Sequence, residues 1–328
     1  MQSIKHFITL TERYLTPNRR IMLYGAVALA LMAIFMSVKL GNNLQYILLR
    51  RSYILLTMVI VAFVAGISTV IFQTVSNNRI LTPSLMGIEN LFVLIQTVAI
   101  FFYSGTTNSF WLFNIIKFAI ETSLLVLFSL LLYQWLFKTV NYNINLVLMI
   151  GILLGELFRS SSNLLQRLLD PNEFAILQGR IFATFTRATP DLIAFSAIVI
   201  ILIGLLIWRK RYVYDVLALG RAHAINLGLN YQRHVMTTLL LVSILVAVST
   251  ALVGPLTFLG LMVANLAYLL AGSHQHRYLL PTAFLLAMIA LIAGQLFLEY
   301  GLNMSASLSV VLEFFGGIFF IYLILKRF

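Results

Sequence analysis

The chain has 328 residues, of which 61% are hydrophobic and 10% are charged. Soluble proteins are about 45–50% apolar and about 25% charged, so this composition excludes an ordinary soluble domain and predicts a polytopic membrane protein. The net charge of +12 is explained by loop lysines and arginines that set membrane topology, and we expect no nucleic-acid partner. The lack of cysteine excludes disulfides, thiolate metal sites and cysteine nucleophiles.

Apolar stretches long enough to cross a lipid bilayer, about 20 residues each, recur along the chain. They predict an all-α membrane protein with about ten transmembrane helices, in one domain over residues 1–328. In chain order the predicted spans are Ile21–Leu40, Ser52–Thr74, Leu85–Tyr103, Phe113–Phe137, Leu146–Leu165, Asp191–Trp208, Val235–Val253, Phe258–Ala271, Pro281–Leu298 and Ser307–Leu325. Gly254-Pro255 is predicted to break the helix after the seventh span.

An even number of spans places both termini on the same side of the membrane. When that side is the cytoplasm, it takes the larger share of the lysines and arginines, as the positive-inside rule requires. Between the fifth and sixth spans, residues 169–189 predict a short amphipathic helix. Asp170 is its expected N-cap, Pro171 its first helical residue and Glu173 the partner in a capping box.

A polar stretch from Tyr212 to His234, called the 212–234 segment below, separates two strongly apolar spans. It follows the basic cluster Arg209–Arg211, which is typical of the cytoplasmic end of a membrane helix. Residues 213–226 can form one short helix, which Gly228 would end in a left-handed conformation. Such a helix could transmit force from a soluble partner to the membrane helices. An ordinary long loop is the alternative.

The chain has no sequence motif for chemistry of its own. It lacks the phosphate-binding G-x-x-x-x-G-K-[ST] loop, the H-E-x-x-H zinc motif and the G-x-S-x-G nucleophile elbow. His274 and His276 lie two residues apart in a predicted polar loop, where exposure to solvent is favoured over a metal role. We therefore expect no catalytic residue, no metal site and no enzyme activity.

Three segments resemble, in order and spacing, one family of membrane proteins. The first is Gln73–Ile88, with matches at Gln73, Asn78, Pro83, Leu85, Gly87 and Ile88. The second lies in the 212–234 segment, with matches at Leu217, Leu219, Gly220, Ala224, Leu227 and Gly228. The third is Gly254–Leu261, GPLTFLGL. Together they resemble the permeases of iron–siderophore, haem and cobalamin ABC importers, the FecCD/BtuC-like type, over nearly the whole chain.

The resemblance implies a type II ABC importer permease fold in a bacterial inner (cytoplasmic) membrane. Two permeases would pair around a central pathway, with two cytoplasmic ABC ATPases and an external substrate-binding protein. ATP and Mg²⁺ would bind to the ATPases, and the permease would bind no cofactor. The six matching residues of the 212–234 segment would then couple the permease to an ATPase. An iron–siderophore complex is the favoured substrate, with haem or cobalamin as alternatives.

Arginines on the outer side of this family can pair with acidic residues of the binding protein. Arg51 carries over directly from the family pattern, and Arg50 is added because it is adjacent. Further along, Gln295 and Glu299 stand where the family often has an acid and an arginine. Because a glutamate at position 299 would repel an acidic partner, one explanation is a heterodimer in which a second, different permease supplies the usual residues. A homodimer is the alternative.

Two more departures from the family pattern concern the first and third segments. Arg79 replaces a proline in the first segment. After the third segment, Ala264 and Asn265 replace a Pro-His pair, and Tyr268 replaces an arginine. These departures fit the divergent half of a system with two permeases.

Charged residues within the spans are costly in a bilayer and usually face the interior of a helix bundle. Glu156 and Arg159 are three residues apart and therefore share one face of the fifth span. One interpretation is an ion pair within the helix. The other is a pathway lining continued by Ser160 and Asn163, with Glu313 in the tenth span as a second contributor, because the family's fifth and tenth spans line its pathway.

A secondary transporter driven by an ion gradient is the alternative function. In that case the buried acids Glu121, Glu156 and Glu313 would be candidate ion sites. Glu121 is otherwise explained by a structural pair with Lys117, four residues earlier on the same helix. Such a transporter would have no use for the 212–234 segment, so this segment favours the ABC importer.

Overall fold

The computed structural model describes residues 16–38, 43–102, 111–139, 144–186, 188–302 and 306–327. In this part of the chain the regular structure consists of thirteen α-helices and the 3-10 helix Ser84–Met86, with no strand. The α-helices are α1 Pro17–Ser37, α2 Leu44–Ser76, α3 Ile88–Phe102, α4 Trp111–Thr139, α5 Ile144–Gln166, α6 Pro171–Ile181, α7 Pro190–Arg209, α8 Arg211–Leu217, α9 Arg221–Asn226, α10 Tyr231–Val253, α11 Thr257–Leu270, α12 His276–Tyr300 and α13 Leu308–Arg327. The prediction of an all-α fold is confirmed.

Each predicted span coincides with one helix, although several boundaries differ. Within the described residues, α1, α2, α7, α10 and α12 are each long and apolar enough to cross a bilayer. The ninth span was predicted to begin at Pro281, but α12 begins at His276 and includes this proline. Membrane helices tolerate an internal proline because neighbouring groups satisfy the freed backbone carbonyl.

Helices α2 and α10 form the interior of the bundle. In each of them 72% of the most apolar stretch is buried. A helix that is apolar on all sides is typical of such a buried position. Helix α12 packs along α2, and a Cβ at Gly66 of α2 would stand 2.8 Å from the backbone of Ala283. Glycine at this position therefore lets the two backbones approach closely.

The predicted break after the seventh span is confirmed. Gly254 has a φ of +108°, and a Cβ there would stand 3.2 Å from the Cα of Ala183. Glu89 of α3 accepts hydrogen bonds from the backbone N–H of Leu256 and the hydroxyl of Thr257, where α11 begins. Because non-helical backbone is costly at membrane depth, this buried carboxylate supplies the partner that the broken helix needs.

Small residues join α5 to the start of α3. A Cβ at Gly87, whose φ is +90°, would stand 2.7 Å from the Cα of Gly155. A Cβ at Gly151 would stand 2.9 Å from the methyl carbon of Met86. The pattern of small residues on α5 therefore allows close packing of its backbone, as small-xxx-small patterns do in membrane helices.

Helix α6 is shorter than predicted. It begins at Pro171 as expected and ends at Ile181, so residues 182–186 and 188–189 are not helical. Asp170 occupies the N-cap position, but its side chain makes no capping hydrogen bond. The chain after α6 is instead held by tertiary contact, because the N–H of Thr184 donates to the carbonyl of Val253.

Candidate coupling surface and transport pathway

The 212–234 segment forms two short helices rather than the single one predicted. Helices α8 and α9 are separated at Gly220, which has a φ of +91°. Gly228 follows α9 with a φ of +82°. The left-handed end at Gly228 agrees with the prediction, whereas the break at Gly220 was missed. Both positions use backbone conformations that a residue with a Cβ adopts only under strain.

The four matching residues of this segment other than the two glycines divide equally between buried and exposed positions. Leu217 and Ala224 are 1% and 0% exposed, so they anchor the segment to the bundle. Leu219 and Leu227 are 57% and 63% exposed. Both leucines lie outside the predicted membrane spans, so a protein partner would be needed to cover them.

Tyr214 anchors α8 beside the start of α12. Its side chain is fully buried, and its ring centroid lies 5.8 Å from that of His276. Burial raises the pKa of Tyr214 to about 12, because the charged phenolate is disfavoured in an apolar environment. The phenol therefore stays neutral at physiological pH and serves as a packing element.

Asp215 and His276 form a polar contact that sequence reasoning missed. Asp215 Oδ1 accepts a hydrogen bond from the backbone N–H of His276 and lies 2.7 Å from His276 Nδ1. On the other side of the ring, His276 Nε2 lies 2.8 Å from Thr74 Oγ1 at the end of α2. The expectation of a solvated His276 is wrong, because this side chain is only 2% exposed.

Arg79, one of the departures from the family pattern, contacts two others, Asn265 and Tyr268. The Arg79 guanidinium lies 4.5 Å from the ring centroid of Tyr268, and Asn265 donates a hydrogen bond to the Arg79 carbonyl. In the folded chain the cation at position 79 therefore lies over the aromatic face at position 268, a favourable arrangement. A cavity of about 520 Å³ beside them is also lined by Asp215 and His274.

The pathway candidates on α5 lie on the outside of the subunit. Glu156 and Arg159 form the expected ion pair at 3.8 Å, and their side chains are 61% and 64% exposed. Ser160 and Asn163 continue the same exposed face. Glu313 of α13 is exposed as well. A charged face on a membrane helix is costly against lipid, so it requires a partner subunit or a water-filled pathway.

Arg51 lies at the opposite end of α2 from Thr74 and is 7% exposed. Its guanidinium donates hydrogen bonds to the carbonyls of Phe35 and Val38 and to the side chains of Glu299 and Tyr300. Arg51 thus offers little surface to a binding protein in this conformation. Glu299, which was expected to face an acidic partner, pairs with Arg51 at 3.1 Å.

Arg50 has the exposure that docking requires, since its side chain lies on the surface beside the buried Arg51.

The expected structural pair between Glu121 and Lys117 cannot be described, because the Lys117 side chain lies outside the described residues. Among the residues that the structure describes, no group of three or more His, Asp or Glu side chains could hold a metal ion.

The fold and these surfaces define the class of the protein. Five helices of the described chain are long and apolar enough to cross a bilayer, which is typical of a polytopic membrane protein. The model of the FecCD transport family matches residues 20–326. The chain therefore belongs to the FecCD transport family, whose members are permeases of ABC transporters.

Relatives of known name support this assignment. The chain is 44% identical over 308 residues to the petrobactin import system permease protein YclO of Bacillus subtilis, covering 94% of this chain and 97% of YclO. It is 37% identical over 278 residues to the petrobactin import system permease protein FatC of Bacillus anthracis, covering 85% and 78%. A second petrobactin permease of B. subtilis, YclN, is 22% identical over 280 residues, covering 83% and 84%.

A solved structure has the same fold. It is an inward-facing conformation of a metal-chelate type ABC transporter, which matches with a TM-score of 0.80 and 19% sequence identity. The match covers 95% of this chain and all of the other. The prediction of a type II ABC importer permease fold is confirmed.

Proposed function

We propose that this chain is the single-domain permease subunit of an ABC importer that moves an iron–siderophore complex across a bacterial cytoplasmic membrane. Both termini lie in the cytoplasm, and a separate ATPase subunit binds ATP and Mg²⁺ and supplies the energy. The permease itself binds no cofactor. The observation that carries the proposal is the exposed apolar surface of the 212–234 segment in a member of the FecCD family.

Exposed and buried residues give the 212–234 segment two roles. Leu219 and Leu227 point away from the bundle and contact the ATPase, while Leu217 and Ala224 hold the segment on the membrane helices. A segment that is apolar on both sides can transmit movement, because neither side separates from its partner without exposing apolar surface to water.

The exposed charges of α5 support pairing with a second permease. Glu156, Arg159 and Asn163 would face lipid in an isolated subunit, which is unfavourable. Pairing places this face and Glu313 along a pathway between two subunits, where water and a polar chelate solvate the charges. Membership of an ABC permease family argues against the alternative of a gradient-driven transporter with these acids as ion sites.

The named relatives support both the substrate and a heterodimer. YclO and FatC are permeases of petrobactin import systems, which makes an iron–siderophore complex a better candidate than haem or cobalamin. B. subtilis has two such permeases, YclO and YclN, and this chain is much more similar to YclO. We infer that its partner is a permease of the YclN type.

An external binding protein delivers the substrate. Arg50 is the proposed contact for an acidic residue of this protein, since it is exposed next to the buried Arg51. We therefore propose Arg50 alone as the docking residue for the binding protein. Arg51 instead holds the start of α2, where Arg50 is located.

Purification of the tagged chain from its native membrane in mild detergent tests the proposal. We expect an ABC ATPase and a second, different permease to co-purify. Supplied with the binding protein, the complex in proteoliposomes should import ferric petrobactin with ATP. An ATPase with this permease alone would leave the importer but overturn the heterodimer. Without an ATPase, under conditions where a control importer stays intact, the proposal would be wrong.

Substitutions at the two glycines test the coupling role of the 212–234 segment. Gly220→Leu and Gly228→Leu both place a Cβ at a positive φ, which costs about 1–2 kcal/mol and distorts the segment. We expect less ATPase to co-purify and import to fall. The control is Gly179→Leu, since no atom lies within 4 Å of a Cβ at this position on α6. Unchanged ATPase association and import would show that coupling lies elsewhere.

A further inference from the structure

The 212–234 segment is continuous in the chain with α7 and α10, yet its buried polar contacts run to α2 and α12. Asp215 of α8 accepts the backbone N–H of His276 at 2.7 Å, and His276 Nε2 lies 2.8 Å from Thr74 Oγ1. These contacts join residues that are 61 and 202 positions apart. They are therefore a tertiary link between the coupling surface and two particular membrane helices.

The hydrogen-bond donors and acceptors of this link are matched in either protonation state of His276. A carboxylate only accepts, so His276 Nδ1 carries a proton and donates it to Asp215. With a neutral ring, the Thr74 hydroxyl donates to Nε2. With a charged ring, Nε2 donates to Thr74, whose hydroxyl then donates to the Val70 carbonyl at 2.9 Å. The link therefore persists across protonation states and is not a pH switch.

Apolar packing covers the His276 side of the link, whereas the Asp215 side chain is 27% exposed at the wall of the cavity described above. The Tyr214 ring lies against His276, and Leu217 is 1% exposed. One turn further, a Cβ at Gly220 would stand 3.5 Å from the side chain of Asn77, which ends α2. Helix α8 thus contacts both α2 and α12. Hydrogen bonds in such surroundings resist separation more than exposed ones do.

Helices α2 and α12 are joined along their length. At their middle, Gly66 brings the α2 backbone against that of Ala283. At their far end, Arg51 of α2 pairs with Glu299 and Tyr300 of α12. The two helices run antiparallel, so the Asp215–His276 link and the Arg51–Glu299 pair lie at opposite ends of one two-helix unit.

We propose that Asp215 and His276 are positioning residues that make the 212–234 segment move together with the α2–α12 pair. The two helices carry the motion as one rigid body from the ATPase to the Arg51 end, where the binding protein docks. Thr74 supports the far side of the His276 ring. This inference rests on the proposed function, since it states how movement of the ATPase reaches particular membrane helices.

Import by the complete transporter tests the link. The permease, its ATPase, the second permease and the binding protein are reconstituted with Asp215→Ala or His276→Ala. We expect ATP hydrolysis to continue while substrate imported per ATP falls about tenfold, the effect of losing one charged hydrogen bond. The controls Asp170→Ala and His274→Ala alter exposed residues of the same types. Import per ATP equal to wild type in both link variants would overturn the proposal.

Two isosteric variants decide the matter if the alanine variants fail to assemble. In His276→Asn the amide nitrogen takes the place of Nδ1 and still donates to Asp215. In His276→Gln it takes the place of Nε2 and reaches only Thr74. We expect the asparagine variant to keep most of the import per ATP and the glutamine variant to lose it. Equal values for the two would overturn the role of the Asp215 contact.

The distance between α2 and the 212–234 segment can be measured independently of transport. The chain has no cysteine, so Tyr46→Cys on α2 and Ala222→Cys on α9 accept spin labels selectively at two exposed positions. Double electron–electron resonance should give a narrow distribution of distances between the two labels, and Asp215→Ala should broaden this distribution. If Asp215→Ala broadened the distribution but the transporter without this substitution showed no ATP-driven import, the proposed function alone would be disproved. An unchanged distribution beside normal import would disprove the link alone.

Discussion

Two ion pairs of this membrane chain lie in opposite environments. The side chains of Arg51 and Glu299 are 8% and 28% exposed, whereas those of Arg159 and Glu156 are 64% and 61% exposed. Arg51 also donates to two backbone carbonyls within the subunit. This difference indicates that a charge with partners inside the subunit stabilises the folded subunit itself. A charge left on the outside of a membrane helix must be satisfied by something beyond the subunit.

The sequence pattern suggested a different distribution of these roles. Arg51 was expected on a docking surface and the α5 charges in the bundle interior. Spacing along one helix identifies the Glu156–Arg159 pair, but it does not say which way the helix face is turned. The partner of Arg51 lies 248 residues away, at the end of α12, so no local pattern could reveal it.

The largest effect is expected from Arg51→Ala. This change removes the Arg51 donor from Glu299 and from the Phe35 carbonyl, while the Val38 carbonyl keeps the Tyr300 hydroxyl as a donor. Breaking a buried ion pair costs about 3–5 kcal/mol of folding free energy. Thermal unfolding of the purified permease in detergent measures the loss. The adjacent Arg50→Ala is the matched control, with an expected change within about 0.5 kcal/mol. If both variants unfolded like wild type, the Arg51 network would be unimportant for stability.

A smaller effect is expected from Gly66→Ala, which tests the packing between the two ends of the α2–α12 unit. The added methyl group would stand 2.8 Å from the Ala283 backbone, so the helices must separate. Overpacking of this kind costs about 1–3 kcal/mol. Gly25→Ala provides the comparison, since a Cβ there meets no atom within 4 Å. Equal unfolding temperatures for the two variants would mean that α2 and α12 shift apart freely.

The α5 pair should behave in the opposite way to Arg51. Glu156→Ala and Arg159→Ala each remove one partner of an exposed ion pair, so stability should change by no more than about 1 kcal/mol. Import should nevertheless fall, because these side chains lie on the proposed pathway. Unfolding temperature and ATP-driven uptake are measured on the same preparations. A loss of stability as large as that of Arg51→Ala, with uptake retained, would make the pair structural.

The smallest effect on the permease itself is expected from Arg50→Glu. This exposed side chain should leave stability unchanged but weaken association with the binding protein, chiefly by slowing it. The weakening should diminish as salt is raised, because screening reduces the interaction of exposed charges. Binding kinetics at two salt concentrations provide the measurement. Identical kinetics for the variant and wild type would remove Arg50 from the docking surface.

The sequence predicted the helices well because their signal is local. An apolar run of about 20 residues identifies a membrane helix in any tertiary context. The break at Gly254-Pro255 was likewise predicted, since both residues disfavour a continuous helix. The break at Gly220 was not, because glycine within a short polar stretch is compatible with one helix as well as with two.

The contacts of Arg79 illustrate what a sequence comparison leaves unexplained. In the sequence, the departures from the family pattern at Arg79, Asn265 and Tyr268 are three separate substitutions. Arg79 and Asn265 are more than 180 positions apart. In the structure Asn265 and Tyr268 both contact Arg79. Contacts between positions so far apart in sequence are visible only when the chain is folded.

Sequence reasoning alone could therefore predict the class of the protein, its all-α fold, the order of its apolar helices and the position of the 212–234 segment. These follow from hydrophobicity and short-range pattern, which act on neighbouring residues. By contrast, the burial of Arg51, the exposure of the α5 charges and the contact between Asp215 and His276 are visible only in the folded chain. Those outcomes depend on which helix faces are turned toward each other, and packing of distant elements sets that orientation.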